Sequence, residues 1–296
     1  MIDSAKAPLI TVGMPVYNAG EQLRPAVLSI VGQTCPDWEL LIIDDGSTDG
    51  ALRYIADIHD DRIRILSDGQ NKGLAARLNE CIDLARGAYF ARMDQDDVSF
   101  PERFERQLEA LQQDPQLDLL SVRALKIAGD DEATGLYPIL ATHEQICARP
   151  WVGFYFPHPT WMGKTSWFRR YRYTVPGPYY SEDMDLLLRS YATSRFGMLP
   201  AVLFAYRVRS DIVWAKQLKA RKSVLAIQWK VFGRSRQWIY AGLAFCVMVL
   251  RLVFDGIRVV RQKAGISGQS PESVPVSVIS DWNRVRAGLP GTGGGR

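Results

Sequence analysis

Asp94, Asp96 and Asp97 place three carboxylates within four residues, in the run Met93-Asp94-Gln95-Asp96-Asp97. Acids this close repel one another and are hard to keep charged without a cation. Oxygen ligands of this kind favour a hard divalent ion, Mg2+ or Mn2+, which in turn carries a phosphorylated ligand. A second acidic run, Asp44-Asp45-Gly46-Ser47-Thr48-Asp49, joins carboxylates to strong turn formers. A third, Ser181-Glu182-Asp183-Met184-Asp185, has the composition of a helix start, with Ser181 as N-cap and acids in the first turn. Taken singly, each run also reads as a solvated turn or a charged helix end. Their order along the chain distinguishes the two.

The elements around these runs predict where they sit. Leu9–Val12, Trp38–Ile43, Ile63–Leu66 and residues 88–93 read as short buried strands. Trp38–Ile43 is almost wholly apolar, as expected of a strand covered on both faces. Helical patterns lie between them: Leu23, Val27 and Ile30 on one face, residues 51–58 after a Ser47 or Thr48 cap, and Leu74, Leu78, Cys81 and Ile82 on another. Such βα alternation predicts an α/β fold with a mixed, mostly parallel sheet flanked by helices. Ligands of such sheets bind beyond the C-terminal strand ends. The Pro15–Asn18 loop, the Asp44–Asp49 loop and Asp94–Asp97 all fall there. Downstream, a helix is expected from Pro101 to about Gln113, strands over 117–127 and 201–208, and a helix over 181–191.

The chain of 296 residues is 47% hydrophobic and 23% charged, ordinary for a globular core and too apolar for a disordered chain. Its net charge of +4 is uneven: acids concentrate in the first 115 residues, and Lys and Arg dominate from Arg149 onward. A basic half suits an anionic surface, but no nucleic-acid motif accompanies it, so no nucleic acid is expected as partner. Cys35, Cys81, Cys147 and Cys246 lack metal-ligand spacing and suggest a reducing compartment. The first six residues carry no leader-like apolar core.

Residues 1–210 are expected to form the sheet domain, 211–263 a basic and apolar helical extension, and 264–296 a disordered tail rich in Gly, Ser and Pro. Trp238–Leu250 carries no charge but is short of the roughly 20 residues a spanning helix needs. Basic flanks and Trp238 suit a segment lying in a membrane interface. The expected location is peripheral or monotopic at the cytoplasmic face of the cell membrane.

The ordered motifs over residues 8–210 resemble the inverting nucleotide-sugar glycosyltransferases of family 2, which have the GT-A fold. They are Val16-Tyr17-Asn18, Ser29–Thr34 before Trp38-Glu39-Leu40, Ile43–Asp49, Asn71-Lys72-Gly73-Leu74, Ala85-Arg86-Gly87, Met93–Asp97, Pro101-Glu102-Arg103 and Glu182-Asp183-Met184-Asp185. The resemblance implies that Asp45, with Asp44 beside it, meets the donor base, with UDP-sugars favoured. It implies that Pro15, Tyr17 and Asn18 line base and ribose, and that Lys72 and Gly73 contact the nucleotide. Asp94 would lie near ribose and metal, and Asp96 would be the main ligand of Mg2+ or Mn2+. Asp183 would be the general base, with Glu182 as its alternative, and His158 would lie on the acceptor side. Where many relatives carry Tyr-Arg-x-His, this chain has Tyr206-Arg207-Val208-Arg209. Arg209 cannot ligate a metal, but its guanidinium suits a diphosphate. The acceptor implied is a sugar or a lipid-linked glycan, in surface polysaccharide or glycolipid assembly. Two rivals remain at this point. One is an inactive, membrane-associated nucleotide-sugar-binding module. The other is a haloacid-dehalogenase-like phosphohydrolase, whose D-x-D string Asp94–Val98 also fits.

Overall fold

The computed structural model describes residues 7–178, 180–208, 214–263 and 274–289. Strands β1 (Ile10–Val16), β2 (Trp38–Asp44), β3 (Ile63–Ser67) and β4 (Tyr89–Arg92) pair in parallel, in the order β3-β2-β1-β4. Helix α1 (Leu23–Val31) follows β1, and α2 (Leu74–Leu84) follows β3. Every residue of β1 and β2 is buried. Leu40 and Ile42 join one core cluster, and Leu41 and Ile43 join another. Alternation along one strand thus feeds two faces, as a doubly covered sheet requires. β1 needs a glycine at Gly13, because a Cβ there would sit 2.5 Å from the Phe90 ring.

The second half closes the sheet with mixed pairings. A two-residue strand, β5 (Val98–Ser99), follows the acidic turn, then α3 (Arg103–Gln113), β6 (Leu119–Ile127), β7 (Ala133–Leu136) and a short α4 (His143–Cys147). β8 (Met162–Lys164), α5 (Thr165–Arg170), α6 (Glu182–Ser190) and β9 (Phe196–Arg207) complete it. β8 runs antiparallel to both β4 and β6, and β6 runs parallel to β9. The four cysteines are free thiols.

The helix expected over 51–58 is a 3-10 turn, Ala51–Ile55, that starts at Gly50 rather than at a Ser47 or Thr48 cap. Those two residues are engaged elsewhere: Asn18 donates its N–H to Ser47 Oγ, and its side-chain oxygen accepts from Thr48 N–H. Asp49 Oδ1 accepts the Ala51 N–H instead.

After β9, α7 (Trp214–Arg234) and α8 (Trp238–Lys263) form a hairpin. It docks on α6 through Leu188, Ile227, Phe232, Ala241 and Ala244, and Gln228 donates to the Pro150 and Trp151 carbonyls. Among the described residues no helix is long and apolar enough to cross a membrane.

The expectation of a disordered tail fails over residues 274–289. There α9 (Val276–Ala287) lies against the sheet domain. Trp282 is buried, stacks on Phe100 and donates its indole N–H to the Asp131 carbonyl. This aromatic with its satisfied N–H, together with Val278, Val285 and Leu289 packed on the same core, anchors a short helix that composition alone reads as disordered. The remainder of the expected tail lies outside the described residues.

Candidate active site

The C-terminal ends of β1, β2 and β4 open into one cleft of about 1170 Å3, lined among others by Pro15, Tyr17, Asp45, Gly73, Asp94 and Asp96. A second chamber of about 390 Å3 shares Leu74, Asp94, Tyr180 and Tyr206 with it and brings in His158, Glu182 and Asp183. Residues from the three acidic runs, far apart in sequence, therefore meet in two adjoining spaces.

Side chains stitch the loops together. Gln95 accepts from the Tyr17 N–H at 2.6 Å and donates to the Tyr17 carbonyl at 3.0 Å. Asp49 accepts the Gly20 N–H, and Asn18, in the left-handed region at φ 49°, ties its loop to Ser47 and Thr48. Asn18 thus fastens its loop to the Asp44–Asp49 loop.

Asp45 is buried and receives the Lys72 N–H at 2.7 Å, the Gly73 N–H at 3.0 Å and Arg77 Nε at 2.8 Å. Gly73 sits at φ 86°, a conformation open to glycine at little cost, and this turns its N–H toward Asp45. Four lone-pair sites on a carboxylate leave Asp45 acceptor capacity at the cleft wall. Asp44 is spent differently: its oxygens accept from Ser47 N–H and Ser67 Oγ, and it does not line the cleft. Those bonds, with the charge of Arg77, outweigh burial and hold its carboxyl below the usual range. The Lys72 ammonium pairs with Asp68 at 2.6 Å and Glu80 at 2.9 Å, so it too points to partners outside the cleft lining.

The acidic turn is anchored from β9. Arg207 N–H donates to Asp97 Oδ1, Nε donates to the Asp96 carbonyl, and Nη2 pairs with Asp131 at 2.6 Å. Asp97 is buried with Oδ2 unpartnered, and burial together with the charges of Asp94 and Asp96 drives its carboxyl well upward. Excess negative field around an orphaned buried oxygen fits a bound cation, with Asp94 and Asp96 as its protein oxygens. No group of three His, Cys, Asp or Glu side chains is preassembled for a metal among the described residues. Two carboxylates leave room for ligand oxygens, which is how Mg2+ is usually held on phosphates. Arg209 lies outside the described residues.

The chamber differs in character. Burial, then the neighbouring Asp183, push Glu182 up to about 7, and burial raises Asp183 as well. Met184 N–H donates to Asp183 Oδ1 at 2.7 Å, which opposes the rise. His158 Nε2 lies 2.7 Å from Tyr173 Oη, and its Nδ1 lies 4.0 Å from Glu182 Oε1. Burial and the charge of Arg92 hold His158 neutral. Arg77, Arg92, Gln95 and Arg207 organise this site, yet sequence reasoning gave none of them a role. For Arg92 a signal existed: a charge at the end of an otherwise apolar strand.

The match to Glycosyl transferase family 2 covers residues 11–172. EpsE of Bacillus subtilis (strain 168), named as a glycosyltransferase, is 35% identical over 212 residues, which cover 69% of this chain and 74% of EpsE. The Escherichia coli UDP-Glc:alpha-D-GlcNAc-diphosphoundecaprenol beta-1,3-glucosyltransferase WfgD is 32% identical over 103 residues, covering 35% of this chain and 41% of WfgD. The mannosyltransferase PcManGT from Pyrobaculum calidifontis, solved with GDP-Man and Mn2+, superposes with a TM-score of 0.58 at 16% identity, covering 96% of this chain and 81% of that one. Fold and relatives define a glycosyltransferase of the GT-A fold. The chain belongs to glycosyl transferase family 2. The phosphohydrolase alternative falls with that assignment, and the D-x-D string follows the fourth strand rather than opening the sheet.

Proposed function

We propose that the enzyme transfers a sugar from a nucleoside-diphosphate sugar, UDP-linked by preference, to an acceptor hydroxyl with inversion. The observation that carries this is Asp94, which lines both the cleft and the chamber holding Glu182 and Asp183. Donor and base then face a shared point, as a single in-line displacement needs. Pro15, Tyr17 and Asp45 hold the base, and Gly73 shapes the wall beside it. Asp94 and Asp96 hold Mg2+ or Mn2+, which when bound neutralises charge on the departing diphosphate. Asp183 takes the acceptor proton. His158, neutral and fixed to Tyr173, lines the acceptor side.

Calorimetry with UDP-, GDP- and dTDP-sugars tests the donor site. One base class should bind at least about tenfold tighter with Mn2+ than with EDTA, and Asp96→Ala should lose that gain. A wild-type protein that binds none of them sinks the reading.

The acceptor is proposed to be lipid-linked, at the cytoplasmic face of the membrane, in polysaccharide or glycolipid assembly. Support comes from the lipid diphosphate in the name of WfgD and from α8. On α8, Ile239, Leu250, Phe254 and Val260 are each more than half exposed, and Arg251, Arg258 and Arg261 accompany them. An apolar stripe among cations suits an anionic bilayer surface. The protein should float with vesicles containing phosphatidylglycerol. Phe254→Glu with Ile257→Glu should weaken this by about tenfold or more. A wild type that stays in the soluble fraction refutes the membrane part alone.

A further inference from the structure

Helix α9 is tied to the acidic turn by an unbroken series of polar contacts. The buried Trp282 donates its indole N–H to the Asp131 carbonyl at 2.9 Å. The Asp131 carboxylate pairs with Arg207 Nη2 at 2.6 Å. Arg207 then donates its backbone N–H to Asp97 Oδ1 at 2.8 Å and its Nε to the Asp96 carbonyl at 2.9 Å. The Trp282 ring also stacks on Phe100, in the segment that leaves the same turn.

The middle link depends on its neighbours. Asp131 sits in the left-handed region at φ 67°, and such backbone persists where its surroundings fix it. Arg207 Nη1 grips the same loop through the Ala128 and Gly129 carbonyls, at 2.9 and 3.2 Å. A planar guanidinium has fixed donor directions, so it sets the loop and the acidic turn relative to each other. Gly129, Asp96, Asp97 and Arg207 all line the large cleft. Ring burial alone would make α9 a stabilising cover. The partner of its N–H extends its reach, because that partner is the residue whose side chain holds Arg207.

We propose that α9 is a positioning element for the metal-bearing turn: Trp282 fixes Asp131, Asp131 fixes Arg207, and Arg207 sets Asp96 and Asp97. This rests on the reading of Asp94 and Asp96 as metal ligands. It adds a requirement that lies outside residues 11–172, the span of the family match.

Full-length wild type, Trp282→Phe, Asp131→Ala and the double variant are titrated with UDP and with GDP, each in Mn2+ and in EDTA. The ratio of the two Kd values isolates the metal's gain and cancels changes at the base. Trp282→Phe keeps an aromatic ring and loses one hydrogen bond, so it should lower that gain about fivefold. Asp131→Ala loses a charged partner of Arg207 and should lower it about tenfold. The double variant should fall no further than Asp131→Ala, because Trp282 acts through that carboxylate. Linkage requires the reverse effect: Mn2+ with UDP should slow hydrogen exchange of the α9 amides in wild type by a similar factor, about fivefold. Exchange decides alone should the variants fail to fold. The proposal is overturned if the variants lose thermal stability but keep the metal's gain, if their losses add, or if α9 exchange ignores Mn2+ and UDP. A wild type that binds neither nucleotide more tightly in Mn2+ is a distinct result: it removes the metal reading, and the proposal falls with it.

Discussion

Asp183→Asn is expected to lower kcat about a thousandfold while leaving the Kd for the nucleotide sugar within about twofold. Asn keeps the shape and the helix-start position but cannot take a proton. Asp183 stands in the first turn of α6, where the helix dipole favours a carboxylate, and its own backbone neighbour Met184 donates to it. Burial works the other way and raises both Asp183 and Glu182, the latter to about 7. Two adjacent acids so placed titrate as a pair, with apparent values that belong to the pair. The sign follows directly. A base acts when deprotonated, and these groups are protonated on the acid side of their raised values. The kcat/KM of wild type should therefore climb from the acid side as the pair loses its protons, with the Glu182 step at about 7, and level off above it. His158 cannot substitute, since its pKa is pushed far down and a weak base gains little from position alone. A variant that keeps more than about a tenth of kcat would move the role to Glu182, which Glu182→Gln then tests.

The strands at the site were legible because burial on both faces writes itself as continuous apolar runs, as in β2. The acidic turn was legible because three carboxylates at a strand end have few structural uses. What escaped the sequence shares one cause: partners distant along the chain. Arg77 looks like any helical arginine until Asp45, from a loop 32 residues earlier, closes on it. Lys72 looks like a nucleotide contact with no partner of its own, but α2 supplies Glu80 and the preceding loop supplies Asp68. The α9 helix hid in a Gly- and Pro-rich stretch because its largest anchor, Trp282, finds Phe100 and Asp131 only after folding. The same distance between partners hid the bonds by which Asn18 and Asp44 brace the loops.

Arg77→Met should cost about 3–5 kcal/mol in urea unfolding, or roughly 10 °C in Tm, and should weaken binding at the cleft. Arg77 is 2% exposed and holds Asp45 at 2.8 Å, Asp68 at 2.6 Å and Glu80 at 2.7 Å. Asp68 and Glu80 are partly exposed and regain water when the guanidinium goes, so little of the loss comes from them. Asp45 does not regain it. It stays buried at the cleft wall with two backbone N–H donors and no counter-charge. The loss should therefore arise chiefly from one orphaned carboxylate, and a double-mutant cycle can establish that. Adding Asp45→Asn to Arg77→Met should recover at least about 1 kcal/mol relative to the sum of the single changes. Arg77→Lys should rescue little, because one ammonium cannot span three partners that approach different nitrogens of a planar fork. Additive losses would instead mean that Arg77 stabilises by packing, and Asp45 would be free to meet a ligand without it. The cleft would then owe its shape to the Lys72 and Gly73 N–H groups alone, and donor affinity should survive the Arg77 change intact.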